Sequence, residues 1–236
     1  MADKVLIIVP AHNEEAALPG VIHDIRTHQP RADIVVVDDA SSDDTSATAH
    51  RLGAAVLRLP LNLGIGGAVQ TGFRYARHKG YEYALQVDGD GQHPASAIAD
   101  VLEPVSGGRA DVAIGSRFLG REGFQSTFMR RVGIGMFRLL SRLTTGRTVT
   151  DSTSGFRAYN AAAIRYLAET YPSDYPEVEA VISLSRNRFR IVEVPVEMRE
   201  RQGGQSSITI GRSAYYMIKV MLASLISNLK PTHRSS

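Results

Sequence analysis

Two aspartates separated by one glycine, Asp88-Gly89-Asp90, begin the most chemically pointed stretch of this chain, which runs on through Gly91-Gln92-His93-Pro94. Carboxylates at that spacing, on a turn loosened by glycine, can set their oxygens on a single hard cation such as Mg2+ or Mn2+. An EF-hand loop would start the same way. It would then need glycine at its sixth position and glutamate at its twelfth, where this chain has His93 and Ala99, so that reading fails. A polar turn with helix-capping aspartates is the plainer alternative. A second acidic cluster, Asp38-Asp39 with Asp43-Asp44, favours a site for a metal ion and a phosphate.

Other segments offer polar groups with more than one use. Asn62-Leu63-Gly64-Ile65-Gly66-Gly67-Ala68 is a glycine-rich turn entering a helix, where backbone N–H groups could face an anion. It lacks the Gly-Lys-Ser/Thr end of a Walker loop, and Val69 stands where a dinucleotide fingerprint ends in glycine, so a simple tight turn explains it equally. Asp151-Ser152-Thr153-Ser154-Gly155-Phe156-Arg157 and Tyr175-Pro176-Glu177-Val178-Glu179 each supply acids that could act as a general base or cap a helix. Arg199, Arg201, Gly203, Gly204, Ser206 and Ser207 form a basic, flexible segment: a lid over phosphates or an exposed loop. The seven histidines show no paired zinc-ligand spacing, and no Gly-x-Ser-x-Gly elbow is present. With no cysteine, thiol catalysis, thiolate metal sites and disulfides are excluded.

Charge is placed unevenly. The net charge is +3 and the pI near 9.3, but residues 117–147 hold seven arginines against the single acid Glu122. The acidic clusters all lie in the first hundred residues. An acidic pole and a basic pole in one domain suit a metal ion with an anionic ligand. A nucleic-acid binder would interleave aromatics or show a known motif, and neither is present. A solvated basic helix face accounts for the arginines without any ligand.

These residues need positioning, and the hydrophobic pattern shows by what. Strands are expected at 5–9, 34–37, 55–59, 83–87 and 111–114, alternating with helices at 14–28, 44–52, 67–78 and 95–105. Such alternation predicts an α/β fold with a mainly parallel, Rossmann-like sheet covered by helices on both faces. Ligands in these folds bind beyond the carboxyl ends of the strands. Each of those ends is chemically marked here: Pro10-His12-Asn13-Glu14, Asp38-Asp39, Asn62-Gly64 and Asp88-Asp90. The second half alternates less cleanly, with an amphipathic helix at 128–143, a strand at 189–196 and a C-terminal amphipathic helix at 212–229. That last helix could lie in a membrane interface, or pack on the sheet or on a partner subunit in a homo-oligomer. At 236 residues and 43% hydrophobic, one domain spanning 1–236 is expected. The apolar run at 5–9 is too short for a signal-peptide core, and no run of eighteen apolar residues predicts a membrane span.

Taken together, Val9 to Glu15, Val37 to Thr45, Asn62 to Ala68, Asp88 to His93, Gly115-Ser116-Arg117, Asp151 to Arg157 and Glu193-Val194-Pro195 resemble glycosyltransferase family 2. The nearest likeness is to its branch of dolichyl-phosphate mannose synthases and bacterial polyprenyl-phosphate sugar transferases. The resemblance implies a GT-A fold, a nucleotide-sugar donor, a divalent cation (Mg2+ or Mn2+) and inversion at the anomeric carbon. By position, Pro10, His12 and Glu14 would line the nucleoside pocket and Asp38 would hold base or ribose. Asp88 and the catalytic Asp90 would bind metal and diphosphate with Gln92, while Arg117 and Arg201 would contact phosphates. Residues 1–115 would form the nucleotide-sugar half and 116–236 the acceptor half. His12 stands where the family often has tyrosine, and Ser207 where the mannose synthases carry a phosphate-binding lysine. The Arg-x-x-Gly-x-Ser-Ser variant is more similar to bacterial members, some of which use UDP-sugars.

The expected reaction is in-line displacement at the anomeric carbon. A lipid phosphate, with a second pKa of about 6, can attack without a base. A sugar hydroxyl would need one, and Asp151 is the first candidate, with Glu177 or Glu179 behind it. The arginine-rich segment favours a polyprenyl or dolichyl phosphate acceptor at the cytoplasmic membrane face, to which it would also draw the protein. A hydroxyl acceptor on a growing glycan and a non-catalytic nucleotide-sugar-binding partner are the rival expectations. No nucleic-acid partner is expected.

Overall fold

The structure is a computed structural model that describes residues 4–119, 149–173 and 175–199. Seven strands, β1 (Val5–Ala11), β2 (Asp33–Asp38), β3 (Ala55–Arg58), β4 (Tyr83–Gln86), β5 (Val112–Ser116), β6 (Arg157–Asn160) and β7 (Ile191–Pro195), form one sheet. Their order is β3-β2-β1-β4-β6-β5-β7. Only β6 runs antiparallel to its neighbours, so the sheet is mainly parallel. Six α-helices accompany it among the described residues: α1 (Leu18–His28), α2 (Thr45–Arg51), α3 (Gly64–His78), α4 (Ile98–Ser106), α5 (Ala161–Thr170) and α6 (Pro176–Arg186).

Alternation along each strand divides the core into two layers. Leu6 and Ile8 of β1 join Phe73 of α3, Leu167 of α5 and Leu184 of α6 on one face. Ile7 and Val9 join Leu18, Ile22 and Ile25 of α1 with Ile98 and Val101 of α4 on the other. Phe73 meets Tyr159 edge to face at 4.9 Å, so truncating it to alanine would cost about 3–5 kcal/mol.

The boundaries differ from expectation where local chemistry intervenes. β1 passes through Pro10 instead of stopping there. Ala11 O accepts from Asp39 on the β2 side, so Pro10 N faces the β4 side, where pairing has ended at Ile8; no ladder bond is lost. α1 starts at Leu18, with Pro19 in a first turn that needs no N–H, and residues 14–17 form turns instead. β6 was not anticipated, because its first residue, Arg157, is a buried charge that breaks the apolar run. Its guanidinium donates to the carbonyls of Ser152, Ser154 and Glu177, which makes that burial tolerable. The helices expected at 128–143 and 212–229, the arginines from 121 to 147 and Arg201 lie outside the described residues.

Candidate active site

The parallel register delivers β1, β2 and β4 to the same edge, and backbone contacts then draw their loops together. Gly89 packs directly on the loop after β1: a β-carbon there would stand 3.1 Å from Pro10 O and 3.5 Å from Glu14 Cγ. Asp88 is fixed from two sides. Gln86 Nε2 donates to its Oδ1 at 3.2 Å, and the His93 ring lies against it. His93 Nδ1 accepts the Asp88 N–H at 3.0 Å, so the neutral ring carries its proton on Nε2, 3.5 Å from Asp88 Oδ2. Stacking on Phe156 at 5.0 Å holds the ring in place. Neither Gln86 nor His93 was assigned this supporting role from sequence.

Asp88 remains one-third exposed, whereas Asp90 is buried, its Oδ1 accepting the Gln92 N–H at 3.1 Å. Among the described residues no group of three or more His, Cys, Asp or Glu could hold a metal ion. Asp88 and Asp90 would supply two carboxylates to a cation, with the remaining ligands coming from substrate oxygens and water. Such an oxygen-only, incomplete set fits Mg2+ or Mn2+, which are commonly held by one or two carboxylates together with substrate phosphates. Gly155 leaves the space beside Asp88 that a side chain would otherwise fill.

A cation stands opposite. Arg117, just after β5, donates from Nε and Nη2 to the two oxygens of Asp151, both at 2.7 Å, and its backbone N–H adds a third bond at 3.0 Å. Thr153 Oγ1 accepts from Arg117 Nη2 at 2.8 Å. Burial alone would raise the Asp151 carboxyl, but the Arg117 guanidinium and its hydrogen bonds outweigh that and hold it below the usual carboxylate range. Hydrogen bonding to Asp151 in turn raises Arg117, and the nearby Asp88 charge adds to the effect. Asp151, expected as the base for a hydroxyl acceptor, thus has both oxygens engaged by Arg117 and its basicity lowered.

Asp38, expected to hold base or ribose, is fully buried, with Oδ1 taking the Ser41 N–H at 2.9 Å and Oδ2 the Ser46 hydroxyl. It shapes the loop after β2. That loop is laced to the one after β1: Asn13 Oδ1 accepts the Ser42 N–H at 2.8 Å and Ser41 Oγ the Asn13 N–H at 2.9 Å. Asn13 and Ala40 both adopt left-handed backbone, φ 56° and 57°, which for alanine costs about 1–2 kcal/mol. His12 is exposed and held by its ring edge, Nδ1 donating to Asp39 O at 2.9 Å and Nε2 facing Asn13 and Asn62 amides at 3.3 Å. Pro10 is buried beneath it and Glu14 lies beside Gly89. Glu177 and Glu179 begin α6. Burial raises the Glu177 carboxyl, with Arg157 opposing and Asp88 reinforcing that rise.

This sheet, with a carboxylate pair and an oriented arginine at one edge, is the architecture of GT-A glycosyltransferases. Residues 6–167 match the family model for glycosyl transferase family 2, and the chain belongs to that family; it is a glycosyltransferase. It is 34% identical over 218 residues to an undecaprenyl-phosphate mannosyltransferase of Micrococcus luteus, covering 88% of each chain. It is 30% identical over 227 residues to a polyprenol monophosphomannose synthase of Mycolicibacterium smegmatis, covering 92% of this chain and 85% of that one. Among solved structures, glucosyl-3-phosphoglycerate synthase from Mycobacterium tuberculosis, in complex with Mn2+, UDP and phosphoglyceric acid, superposes with a TM-score of 0.74. That match has 19% identity and covers 98% of this chain and 80% of the other, and it establishes the shared fold.

Proposed function

We infer that this chain moves a hexose from a UDP- or GDP-linked donor to the phosphate of a polyprenyl-type lipid, with Mg2+ or Mn2+ held at Asp88 and Asp90. The observation that carries this reading is the meeting of Asp88 with the Arg117–Asp151 pair at one sheet edge. Gly155 of the Asp151 loop touches Asp88, and the Asp88 charge is felt at Arg117. Acidic groups for a cation and an oriented guanidinium for phosphate are thereby held side by side. The two relatives named above act, by their names, on undecaprenyl phosphate and polyprenol, which supports the lipid acceptor.

In this reading Asp88 and Asp90 hold the cation, Gln86 and His93 keep Asp88 in place, and Gln92 adds an oxygen. The bound cation would supply Lewis-acid stabilisation of the charge on the departing diphosphate. Arg117, steered by Asp151, binds phosphate through its remaining N–H groups. A lipid phosphate is ionised near neutral pH and carries its own nucleophilic oxygen, so no side chain has to remove a proton. The engagement of Asp151 agrees with that economy. Among the described residues no helix is long and apolar enough to cross a membrane. The arginines between 117 and 147 would draw the chain to the anionic cytoplasmic face of a membrane.

The test is incubation of the full chain with Mn2+, UDP- and GDP-hexoses, and undecaprenyl phosphate in detergent. A sugar joined to the lipid phosphate is the expected product. Transfer only to a hydroxyl-terminated glycolipid, with none to the lipid phosphate, would overturn the reading.

A further inference from the structure

Glu193, in the middle of β7, has no part in the chemistry described so far, yet its carboxylate is the end point of a directed hydrogen-bond chain. Oε2 accepts the Thr150 N–H at 2.8 Å; Oε1 accepts the Asp151 N–H at 2.8 Å and the Thr150 hydroxyl at 2.6 Å. A carboxylate can only accept, so the single Thr150 hydroxyl proton points at Glu193. Ser116, whose Oγ lies 3.0 Å from Thr150 Oγ1, must then donate to it. Ser116 Oγ in turn stands 3.4 Å from the Phe118 N–H. The chain therefore reads Phe118 N–H, Ser116 hydroxyl, Thr150 hydroxyl, Glu193 carboxylate.

Its members bracket the two residues that form the cationic wall. Ser116 and Phe118 flank Arg117, and Asp151 follows Thr150. β7 pairs in register with β5, placing Glu193 opposite Ile114, three residues before Arg117. One carboxylate thus ties down both backbones whose side chains make the Arg117–Asp151 clamp. We propose that Glu193 is a positioning residue that presets the Arg117 guanidinium for substrate phosphate. The proposal rests on the reading of Arg117 as a phosphate ligand.

Glutamine at 193 has the same shape but must turn an N–H2 toward at least one donor, so one or more of the three bonds is lost. The measurement is kcat/KM in the undecaprenyl-phosphate assay, with melting temperature, for Glu193→Gln, Arg117→Ala and the double variant. Expected is a loss of about tenfold or more for Glu193→Gln, equivalent to at least about 1.4 kcal/mol. In the Arg117→Ala background the same substitution should change the rate by less than about twofold, since its target is gone. Should Glu193→Gln fail to fold, Thr150→Val cuts the same chain with little change of volume and should show the same dependence on Arg117. A merely structural Glu193 would lose activity equally in both backgrounds, in step with melting temperature, and that overturns the proposal. So does an impaired Arg117→Ala beside an unaffected Glu193→Gln. Full activity in Arg117→Ala would instead remove the phosphate reading of Arg117 itself.

Discussion

A β-carbon added to Gly155 would stand 3.0 and 3.1 Å from the two carboxylate oxygens of Asp88. The loop that carries Asp151 and the loop that carries Asp88 and Asp90 therefore meet beside the Asp88 carboxylate, where the cation is proposed to bind. Gly155 is not in the left-handed region, so alanine there meets a steric obstacle and no backbone strain. Gly155→Ala is predicted to displace Asp88 and lower kcat about tenfold or more, while overpacking costs about 1–3 kcal/mol of stability. Steady-state rates and a denaturant melt check both numbers. An unchanged kcat would mean that Asp88 need not stand where it does.

Two carboxylates make a weak cation site alone and a strong one when diphosphate oxygens complete it. Mn2+ titrated into the protein by calorimetry should bind at least about tenfold tighter in the presence of UDP or GDP, and by linkage the nucleotide should gain the same factor from Mn2+. Equal Mn2+ affinity with and without nucleotide would show that the site is complete without substrate.

Asp151→Asn separates an orienting carboxylate from a proton acceptor. The Asp151 carboxyl is held below its ordinary value, so the clamp on Arg117 is complete above the usual carboxylate range and is lost only as pH falls through that lowered value. Asp151→Asn should therefore lower kcat/KM at all pH values from 6 to 9 by a similar factor, about tenfold to a hundredfold, with the profile's shape kept. Disappearance of a limb of the pH–rate profile would restore Asp151 as a base.

Glu177 titrates in the opposite sense. Its carboxyl is raised by burial, so the folded state holds the proton more tightly than the unfolded chain does. That contribution is fully present below the unfolded value and is lost as pH rises through the folded one. Glu177→Gln removes the cost of a buried charge. Its melting temperature relative to wild type should rise as pH goes from 4 to 7. A difference that is constant, or that grows toward acid, would contradict the assignment.

Much of this geometry was legible in the sequence because parallel α/β folds mark their ligand edge. The apolar runs ending in Pro10, Asp38 and Asp88 announced both the strands and the loops beyond them. Features set by side chains that meet across distant segments were not legible. Arg157 hides β6 because a buried guanidinium satisfied by three carbonyls looks, in one dimension, like a loop residue. Asp38 and Asp39 are equally acidic on paper, and only the fold shows Asp38 turned onto Ser41 and Ser46 and Asp39 onto the Leu63 N–H. Asp151 carried no sign of its partner, which precedes it by 34 residues. Glu193 was visible only as part of a family motif, since two of its three bonds come from backbone N–H groups that a sequence does not distinguish.

Sugar transfer is proposed to depend on a dication held by Asp88 and Asp90. The most direct measurement is the transfer rate from a nucleotide sugar by chelator-stripped enzyme, before and after Mn2+ is returned, in wild type and in Asp88→Asn. Stripped wild type should be inactive and recover with Mn2+, while Asp88→Asn, melting at the wild-type temperature, should stay inactive. Transfer at full rate in excess chelator, or by Asp88→Asn, would contradict the account.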